Sequence, residues 1–229
     1  MLKLIRLEWK KNNIMKYARN AFIMVLILTL LLLSVAGELE SDETRFAYGG
    51  SMLKSGVELF TNMSFMIFTS TMLAAFIVSA YKNKTMNLMF SYPINRKQIL
   101  LSQMLAVWIF NFIALVLSKI LIFHALVAVK KYTYITAESI ALGNSMFYIE
   151  ILVDSAVMIS ISFISLLVGL KMKSSKATII TGVIIVCLTQ GNIGAYSLIG
   201  NIPFYITLLI ISAVSVFLTL YKLETRDVL

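Results

Sequence analysis

Residues Lys82 to Gln98 read KNKTMNLMFSYPINRKQ, the longest polar connection on the basic side of a chain that is otherwise almost all apolar helix. Four cations, Lys82, Lys84, Arg96 and Lys97, flank a centre that holds Met86, Leu88, Met89 and Phe90. A loop that only solvates has no use for that cluster. At helical spacing Met86, Met89 and Phe90 share one face of a short helix, with Asn87 and Ser91 on the other. Pro93 pushes the residue before it out of the α region, so this helix ends near Tyr92. A new helix then starts with Asn95 as N-cap and Gln98 three residues on, the spacing of a capping box. Two readings of the resulting helix, turn, helix compete. One is an interfacial helix lying on lipid head groups with its cations on anionic phospholipid. The other is a rigid apolar knob that docks a cytoplasmic partner.

Composition bounds what surrounds it. With 59% hydrophobic residues and a mean hydropathy of +0.89 over 229 residues, a soluble single domain is excluded. The apolar residues gather into runs long enough to cross a hydrocarbon core, which takes about 20 helical residues. A net charge of +9 would suggest nucleic acid in a soluble chain. Here the cations sit in the connections between apolar runs, where the positive-inside rule puts them, and no nucleic acid is implied. The single cysteine, Cys187, lies inside an apolar run and reads as a small buried residue that no internal disulfide can use. One histidine, His124, leaves no cluster for a metal or an imidazole relay.

Taken in order, residues 1 to 19 form a basic segment in which Lys3, Arg6 and Lys10 accompany Leu2, Ile5 and Trp9. It reads as a helix in the cytoplasmic interface, with Trp9 at head-group depth. Ser34, Val35 and Ala36 imitate a signal-peptide cleavage site, but the apolar run is too long and the leading segment too structured for one. Six spans are expected, at about 20–36, 57–81, 99–124, 146–170, 177–190 and 203–221, in a single domain covering 1–229. Ser64, Thr69, Ser70 and Thr71 place the second span inside the bundle, because small hydroxylated residues permit close helix contact. Gln190, Gly191, Asn192, Gly194, Gly200 and Asn201 interrupt the pattern before Pro203 opens the last span. Non-helical backbone at membrane depth survives only inside protein or beside water, so a broken or re-entrant outer segment is expected there. Connections assigned to the inside hold fifteen Lys and Arg against four outside. Both termini are therefore expected in the cytoplasm. No internal repeat supports a transporter built from inverted halves.

Within the expected hydrocarbon the charges are Lys119 in the third span and Glu150 and Asp154 in the fourth. A lone central charge costs on the order of 3 kcal/mol, so pairing is expected. Glu150 and Asp154, four apart on one helix face, could share Lys119. They serve either as an ion pair that fixes packing or as the lining of an outward path for a cationic substrate.

The SYPINRKQIL segment resembles the first cytoplasmic loop of the ABC-2 type permeases, the membrane subunits of ATP-binding-cassette exporters. In that family a proline-containing segment of the LPISRR type leads from the second span into the third. This chain has Tyr92 for the usual Leu and Asn95 for the usual Ser. The basic N-terminal segment, the six spans and the polar break between the fifth and sixth also look like the family. The resemblance implies an all-α membrane protein with a coupling helix between spans 2 and 3, set in a bacterial cell membrane. That helix maps onto about Thr85 to Tyr92, with Thr85, Met86, Leu88, Met89, Phe90, Tyr92, Pro93 and Arg96 meeting a separate ATPase. It further implies dimerisation with a second permease chain, identical or paralogous, lipid around the bundle, and export of amphipathic or antimicrobial peptides or other hydrophobic compounds, as in small permeases of Gram-positive bacteria. No G-x-x-x-x-G-K-[ST] sequence is present. ATP and Mg are therefore expected in the partner ATPase, with no cofactor, metal or catalytic residue in this chain. Two rivals remain: a membrane-bound structural or signalling partner without transport, and an intramembrane enzyme. The enzyme would want several histidines or a Ser/His couple, which one peripheral His124 does not supply.

Overall fold

The structure, a computed structural model, describes residues 2–39, 52–82, 96–129, 144–193, 196–197 and 201–225. The described residues are helical apart from one very short strand pair and a few turn residues. Helix α1 is Leu2–Lys11 and α2 is Ile14–Leu39. Helix α3 consists of Met52–Leu73, a π-helical turn at Ala74–Val78 and a last turn Ser79–Lys82. Helix α4 is Arg96–Ala128, α5 is Ser145–Ser162, α6 is Ile164–Met172 and α7 is Ser175–Gln190. Strands β1, Asn192–Ile193, and β2, Tyr196–Ser197, pair antiparallel, and α8 is Ile202–Thr225.

Among the described residues, five segments are long and apolar enough to cross a membrane: Ile14–Ala36, Leu53–Tyr81, Lys97–Ala128, Ser145–Lys171 and Ile202–Tyr221. The fourth joins α5 and α6 through a single turn residue, Phe163. The fifth expected span, 177–190, corresponds to α7, which at 16 residues rises about 24 Å, short of a hydrocarbon core about 30 Å thick. Helix α8 carries the sign of a lipid environment. Ser212, Ser215 and Thr219 are buried, whereas Ile206, Ile210, Val214, Phe217 and Leu218 are exposed. A water-soluble helix shows the reverse. The same holds for α2, where Ala21, Val25, Leu28, Leu32 and Ala36 form a narrow buried stripe and Phe22, Ile23, Leu26, Ile27 and Leu30 face out.

Two compact units can be distinguished. The first comprises Met1–Ile14, Phe65–Phe112 and Ala156–Leu229; the second comprises Met15–Ser64 and Ile113–Ser155.

In the first unit, small residues set the packing. A Cβ at Gly169 would strike Thr178 Oγ1, and one at Gly182 would strike Ser70 Oγ. Ser165 Oγ donates to Ser70 Oγ at 3.2 Å, so α3, α6 and α7 converge on one hydroxylated seam. This is the close contact expected of the second span, for Thr69 and Ser70 are fully buried. Gly182→Leu is expected to destabilise the folded chain by about 1–3 kcal/mol through overpacking. Gly182→Ala is expected to fall between the two, as thermal unfolding in mild detergent would show.

The N-terminal expectation needs correction. Residues 1 to 19 are not one helix: α1 stops at Lys11, Asn13 adopts φ 50°, and α2 starts at Ile14. Asparagine tolerates this left-handed conformation better than most residues, and Asn12 Nδ2 donates to Glu8 O at 3.1 Å to close the end of α1. Cys187 also departs from expectation. It is exposed, because α7 turns Thr178, Gly182, Ile185, Val186 and Thr189 inward and leaves position 187 on the outer face. Helix α7 ends at Gln190 and α8 begins at Ile202, with β1 and β2 between them among the described residues. Asn201 then accepts from Phe204 N at 3.3 Å, capping α8 with Pro203 in its first turn.

Candidate functional site

The knob of the second connection, Thr85, Met86, Leu88, Met89, Phe90, Tyr92 and Pro93, lies outside the described residues, and so does Asn95. Arg96 opens α4. What the first unit does describe is how the start of α4 is held. Trp9 Nε1 donates to Ala106 O at 3.1 Å. Gln103 Nε2 donates to Glu8 Oε1 at 3.3 Å, while Glu8 Oε2 accepts from Asn12 Nδ2 at 3.3 Å and lies 3.7 Å from Lys11 Nζ. Glu8 and Ile5 are buried, so α1 is fastened to α4 two to three turns beyond Arg96. The indole N–H of Trp9 is thus used by a backbone carbonyl.

The second unit gathers the intramembrane charges. Lys119 on α4, Asp154 on α5 and Asn62 on α3 each stand nine or ten residues from the helix end that adjoins segment 40–51 or 130–143. At about 1.5 Å per residue this is a depth of about 14 Å. Similar depth on three helices lets the side chains meet. Lys119 Nζ donates to Asp154 Oδ2 at 2.5 Å, and Asn62 Nδ2 donates to the same oxygen at 3.0 Å. Lys119 is fully buried, whereas the Asp154 side chain keeps 26% exposure.

Glu150 does not share Lys119, as the sequence suggested. One turn nearer the helix end, it accepts from Lys54 Nζ at 2.7 Å. Lys54 also lies 4.0 Å from Glu58 Oε1 on its own helix and 5.7 Å from the centre of the Phe147 ring. Phe147 in turn packs edge-on against Phe123, with centroids 5.0 Å apart. The sequence reading missed Lys54, Glu58 and Asn62 because it began the second span at 57, leaving Lys54 ahead of it and Glu58 at its edge, and gave the amide no charge to answer. The signal was available: residues 54, 58 and 62 recur every fourth position and line one helix face. Among the described residues, no group of three His, Cys, Asp or Glu side chains is placed as a metal ion would require. His124 is exposed, with Nδ1 at 2.8 Å from Ile120 O.

Over 204 residues the chain is 27% identical to the uncharacterized protein YcbO of Bacillus subtilis (strain 168), a match that covers 86% of this chain and 87% of that one. No protein-family model matches it, and no solved structure does.

Proposed function

We propose that the chain is the permease subunit of an ABC exporter, driven by a separate ATPase. The observation that carries this reading is the stretch from Lys82 to Gln98, an apolar cluster and a proline corner set between cations and leading directly into a long apolar helix. Its support is threefold. Large apolar side chains are exposed on the helices while Ser and Thr side chains are buried among apolar ones, which suits a bundle in lipid. The chain has no phosphate-cradling sequence, so any ATP dependence must come from a partner. Helix α1 is bonded to α4 just after the segment, so displacement of the loop would be resisted at its root by Glu8 and Trp9. In this reading the chain crosses a bacterial cell membrane six times, α7 included, with both termini in the cytoplasm. The interruption between α7 and α8 faces outward, and a second permease chain completes the path. The exported compounds are amphipathic peptides or similarly hydrophobic molecules.

The test is to purify the tagged chain from native membranes. An ATPase carrying a Walker sequence is expected to accompany it, with hydrolysis rising when both are reconstituted. Recovery of the chain with no nucleotide-binding partner would favour a structural or signalling membrane protein instead.

A further inference from the structure

Among the described residues of the second unit, acceptors outnumber what the donors satisfy. Five charged side chains meet there: Glu58, Glu150 and Asp154 against Lys54 and Lys119, a net charge of −1. Both bonds on Asp154 go to Oδ2, so Oδ1 accepts nothing from a described residue. The bonds of Glu150 and the approach to Glu58 likewise use one carboxylate oxygen each. Independently of charge, Asn62 is 97% buried, being 3% exposed, and its Oδ1 has no partner at all. The amide cannot be turned round to relieve this, because its other end donates to Asp154. Burying an amide oxygen unbonded is costly, so it signals a missing donor. A group that brings N–H donors together with positive charge would answer both the unbonded amide oxygen and the excess of carboxylates.

The carboxylates are also on the open side. Glu150 and Glu58 keep 58% and 28% side-chain exposure, while Lys119 lies beneath them with none. A ligand approaching from the helix ends would meet Glu150 and Glu58 first and the Asn62–Asp154 pair one to two turns deeper. The buried lysine behind holds Asp154 in place and, being fully enclosed, does not compete for the entrance. Two oxygens at the mouth and two below form a sequence of acceptors along 54–62 of α3 and 150–154 of α5.

We infer that Glu58, Asn62, Glu150 and Asp154 form a binding site for an alkylammonium or guanidinium group. As a statement about substrate this rests on the export reading; as a statement about binding it stands without it. The group could come from a lysine or arginine side chain of a peptide or from the head group of an amine-bearing lipid.

The full chain in phosphatidylcholine nanodiscs, a lipid with no N–H donor, would be titrated with a dye-labelled amphipathic peptide carrying one lysine, and with its Nε-acetylated twin. The wild type is expected to bind the lysine peptide at least about five-fold more tightly, the equivalent of about 1 kcal/mol for one partly exposed charge contact. Glu58→Gln with Glu150→Gln should erase that preference while leaving affinity for the acetylated twin unchanged; Glu58→Gln alone serves if the double variant fails to reconstitute. Equal binding of the two peptides by the wild type, or an undiminished preference in the variants, overturns the proposal. Adding phosphatidylethanolamine separates the sources: competition assigns the site to a lipid head group, and unchanged affinity assigns it to substrate. None of these readings uses ATP, so failure to recover an ATPase would leave them intact, and their failure would leave the export reading intact.

Discussion

Replacing Asp154 by Asn is expected to destabilise the folded chain by about 3–5 kcal/mol, because it strands the ammonium of Lys119 without a counter-charge. Lys119 is fully buried and stands about two and a half turns from the end of α4, further than a lysine stem can carry its head to water. The reverse change should be milder. Lys119→Met leaves an aspartate that still accepts from Asn62 and keeps part of its surface exposed. Its expected effect is about 1–2 kcal/mol, the loss of one charge-assisted hydrogen bond. The double variant should recover most of what Asp154→Asn loses, since neither a charge nor its partner is then buried alone. Unfolding by denaturant in mild detergent measures all three. Equal damage from the two single changes would show that Lys119 reaches another acceptor, and a double variant no better than Asp154→Asn would show that the aspartate acts through packing.

The second large effect is expected at the connection. Changing Met89 and Phe90 together to Asp should abolish association with the ATPase while leaving the chain folded in the membrane. Two adjacent carboxylates would replace the largest apolar side chains of the proposed knob, and a desolvated apolar anchor at the centre of an interface commonly carries 2 kcal/mol or more by itself, about a thirty-fold loss of affinity for each. If the apolar face instead rests on lipid, the same change would leave any ATPase bound and would loosen the loop from the bilayer. Co-purification before and after the change distinguishes the two, and retention of the ATPase would mean that the docking face has been misplaced.

What the sequence revealed, and what it hid, divides along physical lines. Apolar runs are one-dimensional information, so the helices of lipid-exposed type could be read from composition, as could the interruption after Gln190 with its Gly and Asn residues. The depth of Lys119 and Asp154 was also accessible, because it follows from counting residues inward from helix ends. Partner choice was not. Whether Lys119 or Lys54 serves Glu150 depends on how α3 and α5 are rotated about their axes, and a long, mostly apolar stretch leaves that rotation free. The same uncertainty misplaced Cys187, whose burial depends on which side of α7 faces Ser70 and Val78. The bend at Asn12 and Asn13 fell inside a basic segment whose period continues on either side of it, so nothing in the pattern marked the stop.

The π-helical turn at Ala74–Val78 also has a consequence for how this chain should be compared with its relatives. Such a turn arises when a helix accommodates one residue more than its α-helical ladder can hold. Side chains before Ala74 and after Val78 are therefore out of phase by one position, about 100° of rotation in an α-helix. A relative one residue shorter at this point could carry the same faces toward the same neighbours with an unbroken ladder. Excising a single residue here, by contrast, would leave every apolar position apolar and yet swing Tyr81 and Lys82, and the connection that leaves from them, through more than a quarter of a circle.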